Sequence, residues 1–120
     1  MARRRIEPTE GAAAVAAWRR GEATPAQVRT AVRYALQTLA DRAPGTSVEV
    51  RVPPAGVVQV IEGPRHTRGT PPNVVETDPA TFLALVTGQL SWSDAVGTGA
   101  VTASGSRANL DGWLPLWPPQ

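Results

Sequence analysis

The residues of this chain that could support catalysis lie mostly in one turn-rich segment, residues 63–72. His66 is the single histidine and cysteine is absent, so any nucleophile that needs an imidazole base would have to use this side chain. Arg65 and Arg68 flank it, and their guanidinium groups, together with backbone N–H groups, could bind a phosphate or a carboxylate. The alternative is a solvated connector, because Arg and His are common in surface loops that carry no site.

Few other residues offer catalytic or metal-binding chemistry. Without cysteine there are no thiolate ligands, disulfides or cysteine nucleophiles. The carboxylates show no EF-hand spacing, and the glycines form neither a Walker nor a Rossmann phosphate loop. Asp78 could act as a catalytic carboxylate, but its position directly before Pro79 favours a helix cap. We therefore expect no catalytic residue, no metal site and no cofactor.

Length and composition predict a single domain, residues 1–120, with tails at 1–7 and 115–120. The apolar fraction of 42% is mostly Ala, Val and Leu, which predicts a light, Val-rich core. No segment approaches the roughly 20 apolar residues that span a bilayer, so we expect a cytoplasmic protein. Abundant Ala, Arg, Gly and Pro without any Lys suggest a GC-rich, bacterial coding sequence.

Basic residues concentrate near the start of the sequence, at Arg3, Arg4, Arg5, Arg19 and Arg20. The formal net charge is only +2, so the chain as a whole is not strongly basic. This cluster could make a weak contact with an anionic membrane surface, or it could be a solvated tail and helix end. Nucleic acid binding is not expected, because no aromatic residues are interleaved with these arginines and no groove-reading motif is present.

Capping residues and apolar spacing in the first half predict two helices followed by an antiparallel strand pair. A short helix is expected over 8–20, and a longer amphipathic one from the capping box that begins at Thr24 to just before Pro44. Alternation over 47–52 predicts a half-buried strand, and the turn residues after it predict pairing with a strand over 57–62. The long helix should lie across this sheet.

The segment 73–105 has the pattern of a strand, two short helices and a second strand. The first strand leads into a helix over 79–88, which is followed by a helix that Ser91 can cap. Residues 100–104 then alternate like a strand. Beyond them, residues 107–114 are expected to form a last short helix.

This order resembles the C-terminal half of the sterol carrier protein family, in which an acidic residue, a Phe-Leu helix, a Thr-Gly-x-Leu turn and a closing Gly recur. The matching residues here are Asp78, Phe82, Leu83, Thr87, Gly88, Leu90 and Gly105. The resemblance implies an α+β fold, with helices packed on one face of a mainly antiparallel sheet of four to five strands. Four strands can be placed, so a fifth either lies near residues 66–70 or is missing.

The resemblance also implies a function, which is non-catalytic binding or transfer of a fatty-acyl, sterol-like or other apolar ligand between the helices and the sheet. The candidate pocket residues are Leu36, Phe82, Leu83, Val86, Trp92, Val96, Leu110 and Leu114. A ligand-free core would use the same residues. An empty apolar cavity of roughly 300 Å³ would cost on the order of 7 kcal/mol, so we expect it to be filled, sealed by a homodimer or partly collapsed.

Two alternatives remain open at this point. The first is an interaction or accessory module that keeps the fold without the cavity and dimerises through Trp113, Leu116 and Trp117. The second is a small anion-binding enzyme centred on the 63–72 segment with its Arg and His residues. By analogy with the family, the helix expected over 107–114 would form a lid on the cavity, or it would simply close the core.

Overall fold

The structure is a computed structural model that describes residues 4–64 and 73–119. Within these residues it contains four α-helices and four β-strands, which confirms the expected α+β class. The helices are α1 (Pro8–Arg19), α2 (Pro25–Arg42), α3 (Pro79–Val86) and α4 (Trp92–Thr98). The strands are β1 (Val48–Val52), β2 (Gly56–Val60), β3 (Asn73–Thr77) and β4 (Val101–Ser104). None of the helices in this part of the chain is both long and apolar enough to cross a bilayer.

Side chains cap the helices at the residues that the sequence indicates. The Thr24 hydroxyl accepts a hydrogen bond from the Gln27 N–H at 3.1 Å, and the Gln27 side chain accepts one from the Thr24 N–H at 2.9 Å. Asp78 and Ser91 each accept from the backbone N–H three residues further on, at 2.8 and 3.1 Å. The interpretation of Asp78 as a helix cap is therefore confirmed, and each cap satisfies an N–H that has no partner within the helix.

The four described strands form one sheet in the order β2-β1-β3-β4. The pairs β1–β2 and β3–β4 are antiparallel, whereas β1 and β3 run parallel with Val48 beside Asn73. The prediction of a mainly antiparallel sheet is confirmed. The place where a fifth strand was expected, residues 66–70, lies outside the described residues.

The two faces of the sheet differ sharply in polarity. One face is apolar and buried, and it carries Val48, Val50, Val52, Val60 and Val75. The opposite face carries exposed polar side chains from the alternate positions of the same strands, which are Arg51, Gln59 and Glu76. Helix α2 packs against β2 and against α3, so the helices cover the apolar face, as expected.

Helix α1 packs on α2 through small residues. At Gly11 the backbone of α1 lies against the ring of Tyr34, so closely that a Cβ atom at Gly11 would be 2.2 Å from the ring. Gly11, Ala14 and Ala17 are buried, whereas the opposite side of α1 is exposed. A small side chain at these positions lets the two helix backbones approach.

The prediction of a helix over 107–114 is wrong, since only a short 3₁₀ turn forms there, at Asp111–Trp113. The Asn109 side chain accepts a hydrogen bond from the Asp111 N–H at 2.8 Å, which supports a local turn rather than a helix. Gly112 lowers helix propensity, and Pro115 prevents extension.

After this turn the chain runs back over the helices as an irregular segment with a bend at Leu116 and Trp117, residues 115–119, which we call the C-terminal strap. The N–H groups of Leu116 and Trp117 both donate to the Val86 carbonyl of α3 at 2.9 Å. The Arg42 guanidinium donates to the Leu116 carbonyl at 2.7 Å, and Arg19 donates to the Trp117 carbonyl at 2.9 Å. The strap is therefore bonded to α1, α2 and α3 at once.

Candidate functional site

Most of the predicted pocket residues lie in one apolar cluster between the helices and the buried face of the sheet. Its members from the predicted set are Leu36, Phe82, Leu83, Val86 and Leu110, with Trp92 and Leu114 half-buried against it. Val96 lies outside this cluster, and 41% of its surface is exposed. The structure thus brings seven of the eight predicted residues together.

The short helix α3 supplies the centre of the cluster. Phe82, Leu83, Leu85 and Val86 are all buried, so nearly every side of this helix faces other parts of the protein. Its end is fixed by the Thr87 hydroxyl, which donates to the Leu83 carbonyl at 2.6 Å. A helix that is apolar all round is stable in water only when it is covered on all sides.

The cluster is closed in this structure. Phe82 is 1% exposed and Leu83 is 0% exposed, whereas a side chain that lined a cavity large enough for water would expose surface to that cavity. The side chains of the cluster therefore contact protein atoms on all sides, as in a packed core. A ligand could enter only if one of the surrounding elements moved.

The C-terminal strap covers part of the cluster without forming a helix or a strand. Leu116 reaches into the cluster and is 4% exposed, and the Trp117 ring stacks on Tyr34 with the ring centres 5.6 Å apart. Apart from this packing, the strap is attached through four hydrogen bonds to its backbone. Backbone bonds each contribute about 1 kcal/mol and bonds from a guanidinium about 1.5 to 3 kcal/mol. A segment held by a few such bonds can open locally without unfolding the sheet.

The predicted pocket residues in the cluster are all apolar, so none of these side chains can donate or accept a proton in catalysis. Among residues 4–64 and 73–119, no group of three His, Asp or Glu side chains is close enough to hold a metal ion. The pKa of Asp78 is lowered, chiefly because its carboxylate accepts the backbone hydrogen bond from Thr81, as expected for a cap. The side-chain hydrogen bond and the negative charge of Asp41 raise the pKa of Arg5.

The predicted anion site of Arg65, His66 and Arg68 lies outside the described residues and stays a prediction. The backbone just before this segment is unusual, because Ile61 has a φ of +70°. Its N–H donates to the Ala43 carbonyl at 2.7 Å, and its carbonyl accepts from the Ser47 hydroxyl at 2.8 Å. These bonds hold a β-branched residue in a conformation that it rarely adopts.

A groove of about 270 Å³ lies between α2, β2 and the segment 4–6, and the sequence did not predict it. The groove exists because the Gln37 side chain pairs with the backbone of Ile6, through hydrogen bonds of 2.8 and 3.0 Å. The two residues are 31 positions apart, so no local pattern indicates the contact. The one available sign was the cluster of arginines near the start of the sequence.

Comparison with known proteins identifies the family. No curated protein matches this chain. The family described as bacterial SCP ortholog matches residues 24–116, which run from the cap of α2 into the strap and include α3, α4 and the four described strands. The match leaves out α1 and the segment 4–7 before it. The chain belongs to this bacterial family of sterol carrier protein orthologues.

Proposed function

We propose that this protein binds and transfers an apolar ligand of the fatty-acyl or sterol-like class without catalysing a reaction on it. The observation that carries the proposal is the family match, which spans every element around the apolar cluster except α1. The cluster supports it, because seven predicted pocket residues meet there with no ionisable side chain among them. The energy of binding would come from burial of apolar surface, at about 25 cal/mol per Å².

The closed cluster implies that binding is coupled to a local opening. We place this opening at the strap, because the strap covers the cluster through Leu116 and is held by backbone hydrogen bonds. A ligand that binds the open form better than the closed one would shift the population towards it. The apparent affinity would fall with the small fraction of open protein.

Quenching of tryptophan fluorescence by a brominated fatty acid tests where the ligand binds. We expect quenching in the wild-type protein, and a smaller signal in Trp92→Phe, because Trp92 packs against the cluster. Trp113→Phe is the matched control, since 40% of Trp113 is exposed. Equal quenching after both substitutions, or no displacement of a fluorescent fatty acid by unlabelled fatty acids, would contradict the proposal.

Mass spectrometry of the native protein from its own host tests whether the ligand is carried in the cell. We expect a co-purified lipid, and we expect its removal to lower the thermal stability. Protein that carries no lipid and keeps its stability after delipidation would speak against a carrier.

An accessory module with the same fold and no ligand is the second candidate, and the complete burial of Phe82 and Leu83 favours it. Such a module would act through its surface, where Trp113 is exposed. Leu116 is buried within the chain, so it could join a homodimer only after the strap detaches. The mass measured by size-exclusion chromatography with light scattering, together with the displacement assay, separates this candidate from the carrier.

An anion-binding enzyme around Arg65, His66 and Arg68 is the third candidate and rests on the sequence alone. Substituting His66 and Arg68 by Ala should abolish such an activity and leave fatty-acid displacement unchanged. Loss of fatty-acid displacement in the same variant would assign the segment to the carrier function instead.

A further inference from the structure

The groove between α2, β2 and the segment 4–6 is built from residues that hold it in one shape. The Arg5 guanidinium binds the Asp41 carboxylate at 2.6 Å, and the Ile6 backbone is bonded in both directions to Gln37. These contacts fix one wall against α2, while the edge strand β2 forms the other wall. The groove is lined by Arg4, Arg5, Ile6, Arg33, Leu36, Gln37, Ala40, Asp41, Val57 and Val58.

The floor and the far wall of this groove are apolar. Leu36 and Ala40 are four residues apart on one side of α2, and Ile6 and Val58 are half-buried beside them. Val57 on β2 is also near the groove, but its side chain lies with that of Arg51 on the opposite, polar face of the sheet and is 48% exposed. The volume of about 270 Å³ is close to the lower end of small-molecule sites, which begin at roughly 300 Å³.

The rim of the groove carries more positive than negative charge. Arg33 is half-buried, and within residues 4–64 and 73–119 it forms neither an ion pair nor a side-chain hydrogen bond. Arg4 approaches Glu10 only at 4.0 Å, with both side chains largely exposed, so this pair is weak. Asp41 is already engaged by Arg5. An anion at the rim would therefore meet Arg33 first, because Arg5 already pairs with Asp41 and Arg4 pairs only weakly with Glu10.

We propose that this groove binds a monomeric amphipathic anion, namely a medium-length alkyl chain that ends in a phosphate or carboxylate. The chain lies along Ile6, Ala40 and Val58, and the head binds the forked donors of Arg33. A monomer fits better than a bilayer surface, because the apolar floor is recessed between two walls. The site goes beyond the proposed function, since the segment 4–6 that forms one wall lies outside the family match.

Calorimetric titration with decyl phosphate tests the proposal, with Arg33→Gln as the test variant and Arg29→Gln as its matched control. Arg29 lies one helical turn before Arg33 and lines only a neighbouring groove, so both variants lose the same charge. We expect one binding site per chain, weakened about five- to tenfold by Arg33→Gln and less than about twofold by Arg29→Gln.

Three other ligands distinguish the proposed site from a simple anion site, an apolar site and a membrane contact. Inorganic phosphate and decanol should each bind much more weakly than decyl phosphate, because each lacks one half of the ligand. Equal binding of phosphate overturns the proposal in favour of a simple anion site, and equal binding of decanol overturns it in favour of an apolar site. Binding to phosphatidylglycerol vesicles that both Arg variants weaken equally, without binding of the monomer, overturns it in favour of a membrane surface contact.

The groove and the apolar cluster can fail independently. Decyl phosphate binding that Arg33→Gln leaves unchanged, and that displaces the brominated fatty acid from beside Trp92, would overturn the groove and support the carrier. Conversely, Arg33→Gln should not change the quenching of Trp92 if the cluster is a separate site.

Discussion

Gly11 sets the distance between α1 and α2, because it has a hydrogen atom in place of a side chain. Gly11 is in the interior of α1, where glycine usually lowers helix stability by about 1 kcal/mol relative to alanine. Its flat contact with the Tyr34 ring uses the space that a methyl group would occupy. The Tyr34 ring also stacks on Trp117 of the strap. A side chain at position 11 would therefore disturb both the contact between α1 and α2 and the contact with the strap.

We predict that Gly11→Ala lowers the free energy of unfolding by about 1 to 3 kcal/mol, because the new Cβ would overlap the Tyr34 ring. Gly97→Ala is the control, since Gly97 lies in a helix and a Cβ there meets no atom within 4 Å. The control should be neutral or stabilising by up to about 1 kcal/mol. Urea denaturation followed by circular dichroism measures both, and equal effects would contradict the packing argument.

Asp78 makes the start of α3 sensitive to pH. Its folded-state pKa is lowered, so the cap contributes stability above the unfolded-state pKa of about 3.9 and loses it as the pH falls through the folded-state pKa. We predict that Asp78→Ala costs about 1 kcal/mol at pH 7 and progressively less below pH 4. Asp111→Ala is the control, because Asp111 is exposed and caps no α-helix. A cost that stays constant down to pH 2 would show that the carboxylate charge is irrelevant.

At the scale of whole elements, the strap can be tested apart from the helices that it covers. We predict that Trp117→Ala lowers the free energy of unfolding by about 2 kcal/mol, because it removes the stack on Tyr34 and loosens the cover of the cluster. Trp113→Ala removes an equal side chain from a position that is 40% exposed and outside the stack, so it should cost less than Trp117→Ala. Hydrogen exchange should accelerate at Leu116 and Trp117 in the first variant only. Equal exchange in both variants would contradict the role of the strap.

Elements with their own capping signals could be predicted from the sequence, and the strap could not. Thr24, Asp78 and Ser91 act within three residues of their partners, so the pattern is readable in a short window. The Arg19 side chain that holds the strap is 98 residues from its acceptor in the sequence. The failure over 107–114 has a local cause, because Asn109 bonds the Asp111 N–H, Gly112 lowers helix propensity and Pro115 prevents extension.

The candidate site also has a part that the sequence predicts and a part that it does not. Apolar spacing identified the members of the cluster on α2 and α3, because both helices bury the side that the spacing indicates. Val96 lies outside the cluster because α4 is short and buries Ala95 instead. The groove could not be predicted at all, because it depends on Gln37 holding Ile6.

At the scale of the whole molecule, ligand binding and stability should be linked. A carrier that binds its ligand only when folded gains about 2.7 kcal/mol of stability at a ligand concentration 100 times the Kd. We predict that the unfolding temperature of delipidated protein rises with the logarithm of fatty-acid concentration. Glucose at matched concentration is the control and should give no shift. A flat response to fatty acid would favour the accessory module over the carrier.

The parallel pairing of β1 with β3 has a consequence for the order of folding. The β1–β2 hairpin and the α1–α2 pair join neighbouring segments, and such contacts close quickly. The central ladder must wait until β3 lies beside β1, and β2 separates these two strands in the sequence. A newly made chain would therefore hold a hairpin with one unpaired inner edge until residues 73–77 arrive. That edge is the surface on which a second unfolded chain could misassemble, so synthesis of β3 ends the period of greatest aggregation risk.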